Sequence, residues 1–322
     1  MREKQSFLQF LKDWMLPLAM AFGAVIYLIY HYLPVLDSIE PAIDKAIKEV
    51  QPVLVGVMLF LQFNIISPHD LGPRKWHIWI LLFQTISFFI FAFWAASMQE
   101  APAKVLVETA MLCIVCPTAA ASGVITRKLG GDLPGDMACV VLTNCLAAIL
   151  LPIMLPKVNP TISMSFWNAF LKILVRVFSI LLLPCLAAWI IRFFFKNLHE
   201  RLTGLADWAF YVWGISLALA ISLATKSLLE SHLPIWIIIG IGAISLIACI
   251  FQFWLGRKIG KPGGKAEEIT AGQSLGQKNN GFLIWVCFNF LTPVTSVAGG
   301  LYAIWQNLIN SWELYKHRHG KA

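Results

Sequence analysis

Apolar runs of roughly 17 to 25 residues, the length that crosses a bilayer as a helix, recur along this chain between short polar connections. They fall near residues 14–33, 50–66, 76–97, 103–127, 135–155, 166–194, 205–227, 234–256, 266–289 and 293–314. The pattern predicts an all-α polytopic membrane protein with ten transmembrane helices. Two runs are interrupted. Cys116-Pro117-Thr118-Ala119-Ala120-Ala121-Ser122-Gly123 breaks the fourth, and Gly272 to Gly281, with Gln273, Ser274, Gln277, Lys278, Asn279 and Asn280, breaks the ninth. Backbone that leaves the helix at membrane depth is tolerated where it lines a cavity, and paired broken spans point to a secondary transporter's substrate and ion sites. The breaks lie five spans apart. Two five-span halves, about 1–160 and 161–322, would therefore be inverted repeats, since an odd number of crossings starts the second half on the opposite side.

Composition fits this picture: 58% of the 322 residues are hydrophobic and 13% charged, with a mean hydropathy of +0.72. The net charge of +8 would suit a nucleic-acid partner, but the basic residues alternate along the chain instead. Seventeen of the 25 lysines and arginines fall on one side: Arg2, Lys4 and Lys12; Arg74-Lys75; Arg127-Lys128; Arg192, Lys196 and Arg201; Arg257 to Lys265; and Lys316, Arg318 and Lys321. Five (Lys45, Lys48, Lys104, Lys157, Lys226) fall on the other, and Lys172, Arg176 and Lys278 fall inside spans. Basic residues collect in cytoplasmic loops. The count therefore predicts a multi-pass protein of the cell membrane, both termini cytoplasmic, with no nucleic-acid partner; no obligate protein partner is evident. The first run extends to Leu33 without a small-x-small cleavage site and reads as an uncleaved span. The linker from Gly256 to Glu268 is a short connection, so no separate soluble domain is expected.

All seven cysteines lie in predicted spans, as soft packing residues without a disulfide framework. Cys113 and Cys116 have redox spacing but lack the strand-to-helix context of a redox motif. His317-Arg318-His319 reads as part of the basic tail. No Gly-Lys-Ser/Thr phosphate loop and no Gly-x-Ser-x-Gly or His-Glu-x-x-His motif is present, which argues against ATP drive and against an enzyme.

Ionisable groups within spans face a cavity or a partner by default. Lys172 and Arg176 read as stems snorkelling to the headgroups. Glu108 is either interfacial or turned to a pocket. Asp136 either favours a helix N-terminus through the dipole or faces the breaks. Lys278, in a Gly-flanked, amide-rich break, places a compact ammonium where a bound cation would sit. Asp136 is the carboxylate expected to balance it. Thr118, Ser122, Ser274, Gln277, Asn279 and Asn280 offer neutral oxygens and amides for a cation or substrate, or serve as glue between helices.

Four fragments in register resemble the bile acid:sodium symporter family. Val57-Met58-Leu59-Phe60 through Ser67-Pro68-His69-Asp70-Leu71 resembles its second-span ending. Cys116-Pro117 through Ser122-Gly123-Val124-Ile125-Thr126 and Gly131-Asp132 resembles its Cys-Pro-Gly-Gly-x-Ala-Ser-Asn-x-Met-Thr crossover. Gly276-Gln277-Lys278-Asn279-Asn280-Gly281 resembles its Glu-x-Gly-x-Gln-Asn-Ser-Gly, and Gly299 to Asn307 its Pro-Gly-x-x-Phe-Ser-x-Trp-His-Asn. The resemblance covers nearly the whole chain, and ten spans with both ends inside fit the family's bacterial members, hence an inner membrane.

The resemblance implies a panel of spans 1, 2, 6 and 7 and a core of spans 3 to 5 and 8 to 10, in which broken helices 4 and 9 cross. It implies amphipathic or organic anions as substrates, bile-acid-like or small carboxylates and sulfonates, moved by alternating access and usually driven by two sodium ions. Pro117, Thr118, Ala121, Ser122, Gly123, Asn279 and Asn280 would form the substrate site and crossover. Gln84, Ser122, Asp136, Ser274, Gln277 and Lys278 would carry ion coupling. The family's sodium ligands are only partly present. Its third-span Gln matches Gln84 and its crossover Ser matches Ser122, but its Asn is Gly123, its fifth-span Ser and Thr fall on Asp136 and Val140, its ninth-span Glu falls on Ser274 and its Gln on Lys278. No cofactor is expected. Sodium is the one metal ion the residues admit, with a reduced ligand set, so coupling should be altered, with a sodium-independent or proton-coupled carrier, or a transporter-like sensor, as alternatives.

Overall fold

A computed structural model describes residues 14–33, 38–99, 102–160, 165–230, 234–291 and 293–320. Arg2, Lys4, Lys12 and Lys321 of the charge count lie outside the described residues. Among the described residues the structure is helical, with a single isolated β-bridge.

The helices are α1 (Met15–Tyr32), α2 (Glu40–Asn64), α3 (Lys75–Ser97), α4 (Pro102–Val115), α5 (Ser122–Lys128), α6 (Leu133–Val158), α7 (Phe166–Val177), α8 (Leu183–Phe194), α9 (Lys196–Thr203), α10 (Trp208–Leu229), α11 (Ile235–Gly260), α12 (Lys265–Gly276), α13 (Asn280–Phe290) and α14 (Val297–Arg318). Among the described residues, six segments are long and apolar enough to cross a membrane: α1, α2, α3, α6, the stretch Trp208–Lys226 of α10, and Ile235–Gly263, which is α11 with its following turn. The other four predicted runs fall short for visible reasons. The run 103–127 divides into α4 and α5, and 266–289 into α12 and α13. The run 166–194 is split by a π-helical turn at Phe178–Leu182, the geometry of an inserted residue in a helical ladder. The last is a continuous 22-residue helix, α14, whose buried face carries Gln306, Asn307, Asn310 and Glu313.

Local chemistry sets the ends of these elements. Asp132 caps α6, its carboxylate accepting from the Gly135 amide at 3.2 Å, with Pro134 in the first turn; this is the usual satisfaction of an orphan amide at a helix start. Before it, Gly130 adopts a left-handed φ of 79°, which a side chain would disfavour. Ser165 caps α7, accepting from Asn168 at 3.3 Å, and Asn279 caps α13. Helix α2 begins ten residues before the apolar run, because its first turns are held by charge: Lys226 of α10 pairs with Glu40 at 3.0 Å and also with Asp44.

Helix α10 packs on α1 and α2, and α2 on α8. In a second group α11 lies along α12, α4 and α14, and α3 lies against α4 and α6. The groups meet where α10 and α1 touch α14 and where α6 touches α7. Helices α11 and α12 approach closely, for a Cβ on Gly256 would lie 2.3 Å from the Ala271 carbonyl oxygen and one on Gly260 2.2 Å from that of Glu267.

Candidate functional site

The two breaks meet. Helix α4 stops before Cys116 because Pro117 cannot continue it, α12 stops at Gly276, and the extended residues between pair side by side in the Thr118–Lys278 bridge. Ala119 donates its amide to the Gln277 carbonyl and Asn279 to that of Pro117, both at 2.9 Å.

Unwinding frees carbonyls that must find donors away from water, and six of them find one from a neighbouring element. Gln252 of α11 donates to Cys113 O at 3.1 Å. Gln84 of α3 donates to Ile114 O at 3.1 Å and Cys116 O at 3.4 Å. Thr118 Oγ1 donates to Ser274 O at 2.6 Å, and the Tyr302 hydroxyl to Gly276 O at 2.9 Å. Gln306 of α14 clamps the Lys278 peptide on both sides, accepting from its N–H at 2.8 Å and donating to its carbonyl at 3.3 Å.

Asp136 is fully buried at the start of α6 and joins the breaks through its side chain. Ser122 Oγ of the first donates to one carboxylate oxygen at 2.6 Å, and Ser274 Oγ of the second donates to the other. Thr126 is buried beside the same carboxylate. The carboxylate at the start of α6 thus stands across from a serine of α12. This cluster of carboxylate and hydroxyl oxygens is chemically suited to one small hard cation.

Lys278, with 1% exposure, turns the other way. Its Nζ donates to Ile114 O at 3.1 Å, in the last turn of α4, where the negative end of a helix dipole favours a cation. Asp136 does not balance it by direct contact: among the described residues no ion pair joins Lys278 to any carboxylate. The ammonium is answered by a backbone carbonyl and the carboxylate by hydroxyls.

Beside the crossover is a cavity of about 100 Å³. Both breaks line it, with Ala119 to Ala121 and Lys278 to Phe282, together with α2, α7, α10 and α14. Of the predicted substrate residues, Ala121, Asn279 and Asn280 reach it. Asn279 also accepts from Phe282 N at 3.1 Å as the cap of α13, and Asn280 Oδ1 is buried without a partner. Pro117, Thr118 and Ser122 lie behind the cavity in the crossover itself. At Gly123 a Cβ would lie 2.2 Å from Gln62 Oε1. The amide of Gln62, donating to Ala120 O at 2.9 Å, occupies the space a larger residue would need. Gln84 and Gln277 keep buried Oε1 atoms without partners, and Gln277 Nε2 donates to Gln273.

Two sequence readings change. Glu108 does not line the cavity; it is buried and accepts from Thr295 Oγ1 at 2.8 Å. Arg176 lines the central cavity, while Lys172 lies in a neighbouring apolar groove of about 630 Å³ that Arg176 also borders. The sequence reading passed over Gln62 and gave Thr126, Gln306 and Asn307 no site role, quoting them only within the family-like fragments. Their signal was present, as amides or hydroxyls inside otherwise apolar helices.

No family model matches the chain. Over 285 residues, 84% of both chains, it is 22% identical to a Bacillus subtilis protein named as an uncharacterized sodium-dependent transporter, YocS. That likeness is to a transporter and not to an enzyme. With six helices of spanning length and composition, the chain is a multi-pass helical membrane protein.

Proposed function

We propose that the protein is a secondary transporter that moves an organic anion by alternating access, with sodium coupling reduced from two ions to at most one. The observation that carries this reading is the meeting of two broken helices beside a cavity that both breaks line. Half-helix ends directed at one place supply dipoles for a charged solute and carbonyls for an ion, and in a membrane such backbone is retained where it lines a cavity. The distant transporter relative supports the class of activity.

On this reading the chain has ten crossings in two inverted halves. Helices α1, α2, α3, the α4–α5 pair and α6 answer to α7–α8, α10, α11, the α12–α13 pair and α14. The two packing groups support a panel of α1, α2, α7–α8 and α10 against a core of the remainder. Asp136, Ser122, Ser274 and Thr126 would hold the one coupling ion, and Lys278 stands in for the other. Because Asp136 is already satisfied by two hydroxyl donors, an ion-free or proton-driven cycle is the second reading.

The test is uptake by purified protein in proteoliposomes, with sodium and pH gradients applied separately and a panel of carboxylates and sulfonates. Sodium-driven or gradient-free uptake separates the two transport readings. Absence of uptake for every solute would leave a sensor.

A further inference from the structure

Arg176 stands on α7 ten residues after its start at Phe166, about 15 Å along the axis at 1.5 Å per residue. That is half of a hydrocarbon core of about 30 Å, and the side chain turns into the protein, not along the helix to an interface. The guanidinium lies 5.5 Å from the Trp285 ring, and its Nε is buried without a hydrogen-bond partner. Among the described residues it joins no carboxylate. The cavity it borders is lined by two cations, Arg176 and Lys278, and by no Asp or Glu. Lys278 is answered by the Ile114 carbonyl, while Arg176 has the face of the Trp285 ring and, among the described residues, no carboxylate. A guanidinium left so at membrane depth is costly unless something of opposite charge joins it.

The same wall carries a second demand. Asn280 Oδ1 and Asn307 Oδ1 are buried and without partners, and the orientation of Asn307 is fixed because its Nδ2 donates to Ala303 O at 2.7 Å. These are acceptors waiting for a donor, and leaving such groups unpaired is the expensive side of hydrogen bonding. The start of α13 at Asn280 adds the positive end of a helix to the same cavity.

We propose that Arg176 is the counter-ion for the anionic group of the transported solute, and that this solute also carries a hydroxyl or N–H which Asn280 and Asn307 accept. The inference rests on the transporter reading and narrows it to small acids with a donor beside the charge. The forked guanidinium suits a carboxylate or sulfonate, which it can grip with two parallel bonds.

The experiment uses matched triples of two- to five-carbon solutes: the hydroxy acid, the unsubstituted acid and the neutral hydroxyamide. Binding is read by thermal stabilisation of the full chain in detergent, and transport by uptake into phosphatidylcholine proteoliposomes. At least one hydroxy acid should bind and be taken up, the unsubstituted acid should bind at least tenfold more weakly, and the hydroxyamide should fail. Arg176→Gln should lower hydroxy-acid affinity at least tenfold at an unchanged melting temperature, with Arg176→Lys recovering part of the loss. Asn307→Leu should erase the preference for the hydroxy acid. Acid binding by Arg176→Gln equal to the parent would overturn the counter-ion role while uptake persists. So would uptake of neutral or cationic solutes only, which keeps the transporter and removes the anion. Absence of uptake for every solute class would remove both readings. Equal competition by phosphatidylglycerol vesicles and by free acid would assign the guanidinium to a lipid headgroup and overturn the proposal.

Discussion

Replacing Lys278 by glutamine should give this protein a cation site it now lacks. A sodium ion sharing the Ile114 carbonyl, which Lys278 Nζ meets at 3.1 Å, would stand within about 4 Å of the ammonium. At an effective dielectric near 20 two unit charges at that distance repel by about 4 kcal/mol, and at about 1.4 kcal/mol per tenfold this weakens sodium binding by roughly a thousandfold. Lys278→Gln removes that repulsion and adds a neutral oxygen beside Gln84, whose own Oε1 has no partner. Uptake rates in proteoliposomes should therefore show no sodium dependence, or a Hill coefficient near one, for the parent and a steeper dependence for the variant. Lys278→Met separates charge from packing. The ammonium is buried with one hydrogen bond, so an apolar chain of similar volume should leave the melting temperature unchanged or raise it. A Hill coefficient near two in the parent, with Lys278→Gln behaving identically, would refute the reasoning.

Three further outcomes follow from the geometry. Ser274→Glu alone should fail, because Ser274 donates to Asp136 and a second carboxylate there would repel the first; combined with Asp136→Ser it should recover uptake above either single variant, and recovery no better than the singles would argue against exchange of roles. Asn279→Leu should cost about 1 kcal/mol as a lost helix cap and abolish uptake while expression persists; unchanged uptake would assign Asn279 to packing alone. Gly256→Ala should destabilise by about 1–3 kcal/mol through overpacking, since its Cβ would meet the Ala271 carbonyl oxygen at 2.3 Å, whereas Gly242→Ala, with its nearest neighbour at 3.8 Å, should not; equal melting curves would contradict the helix spacing.

The broken helices were legible because proline and glycine announce themselves. Pro117 cannot donate to the ladder, and Gly272, Gly276 and Gly281 frame the other break within an apolar run. Asp136 was visible as an odd charge and Ser122 and Ser274 entered the same ion-coupling set through the resemblance, but their direct bonds to the carboxylate were not legible, since the serines lie 14 and 138 residues away and hydroxyls are common in spans. Asp136 makes no direct ion pair with Lys278, whose ammonium reaches the Ile114 carbonyl in the last turn of α4 instead, a direction the sequence does not show. Arg176 was read as a snorkelling stem because the run 166–194 gives no sign of which face meets the cavity, and the π-turn at Phe178–Leu182 is marked in the sequence by Pro184 alone, two residues beyond it. Gln62 was hidden for a similar reason, its role depending on the empty Cβ position of Gly123 on another helix.

The seam between the breaks is made of peptide groups. Pro117 with Asn279 and Ala119 with Gln277 hold the crossover through atoms every residue possesses, so its register survives a change of side chain. The chemistry mounted on it is correspondingly free to drift. A carboxylate can migrate from one helix to its neighbour, or an ammonium can arrive where an ion was bound, without a new backbone having to be found. A scaffold built this way can exchange one driving force for another by a few substitutions, and chains that have diverged in what powers them need not have diverged in shape.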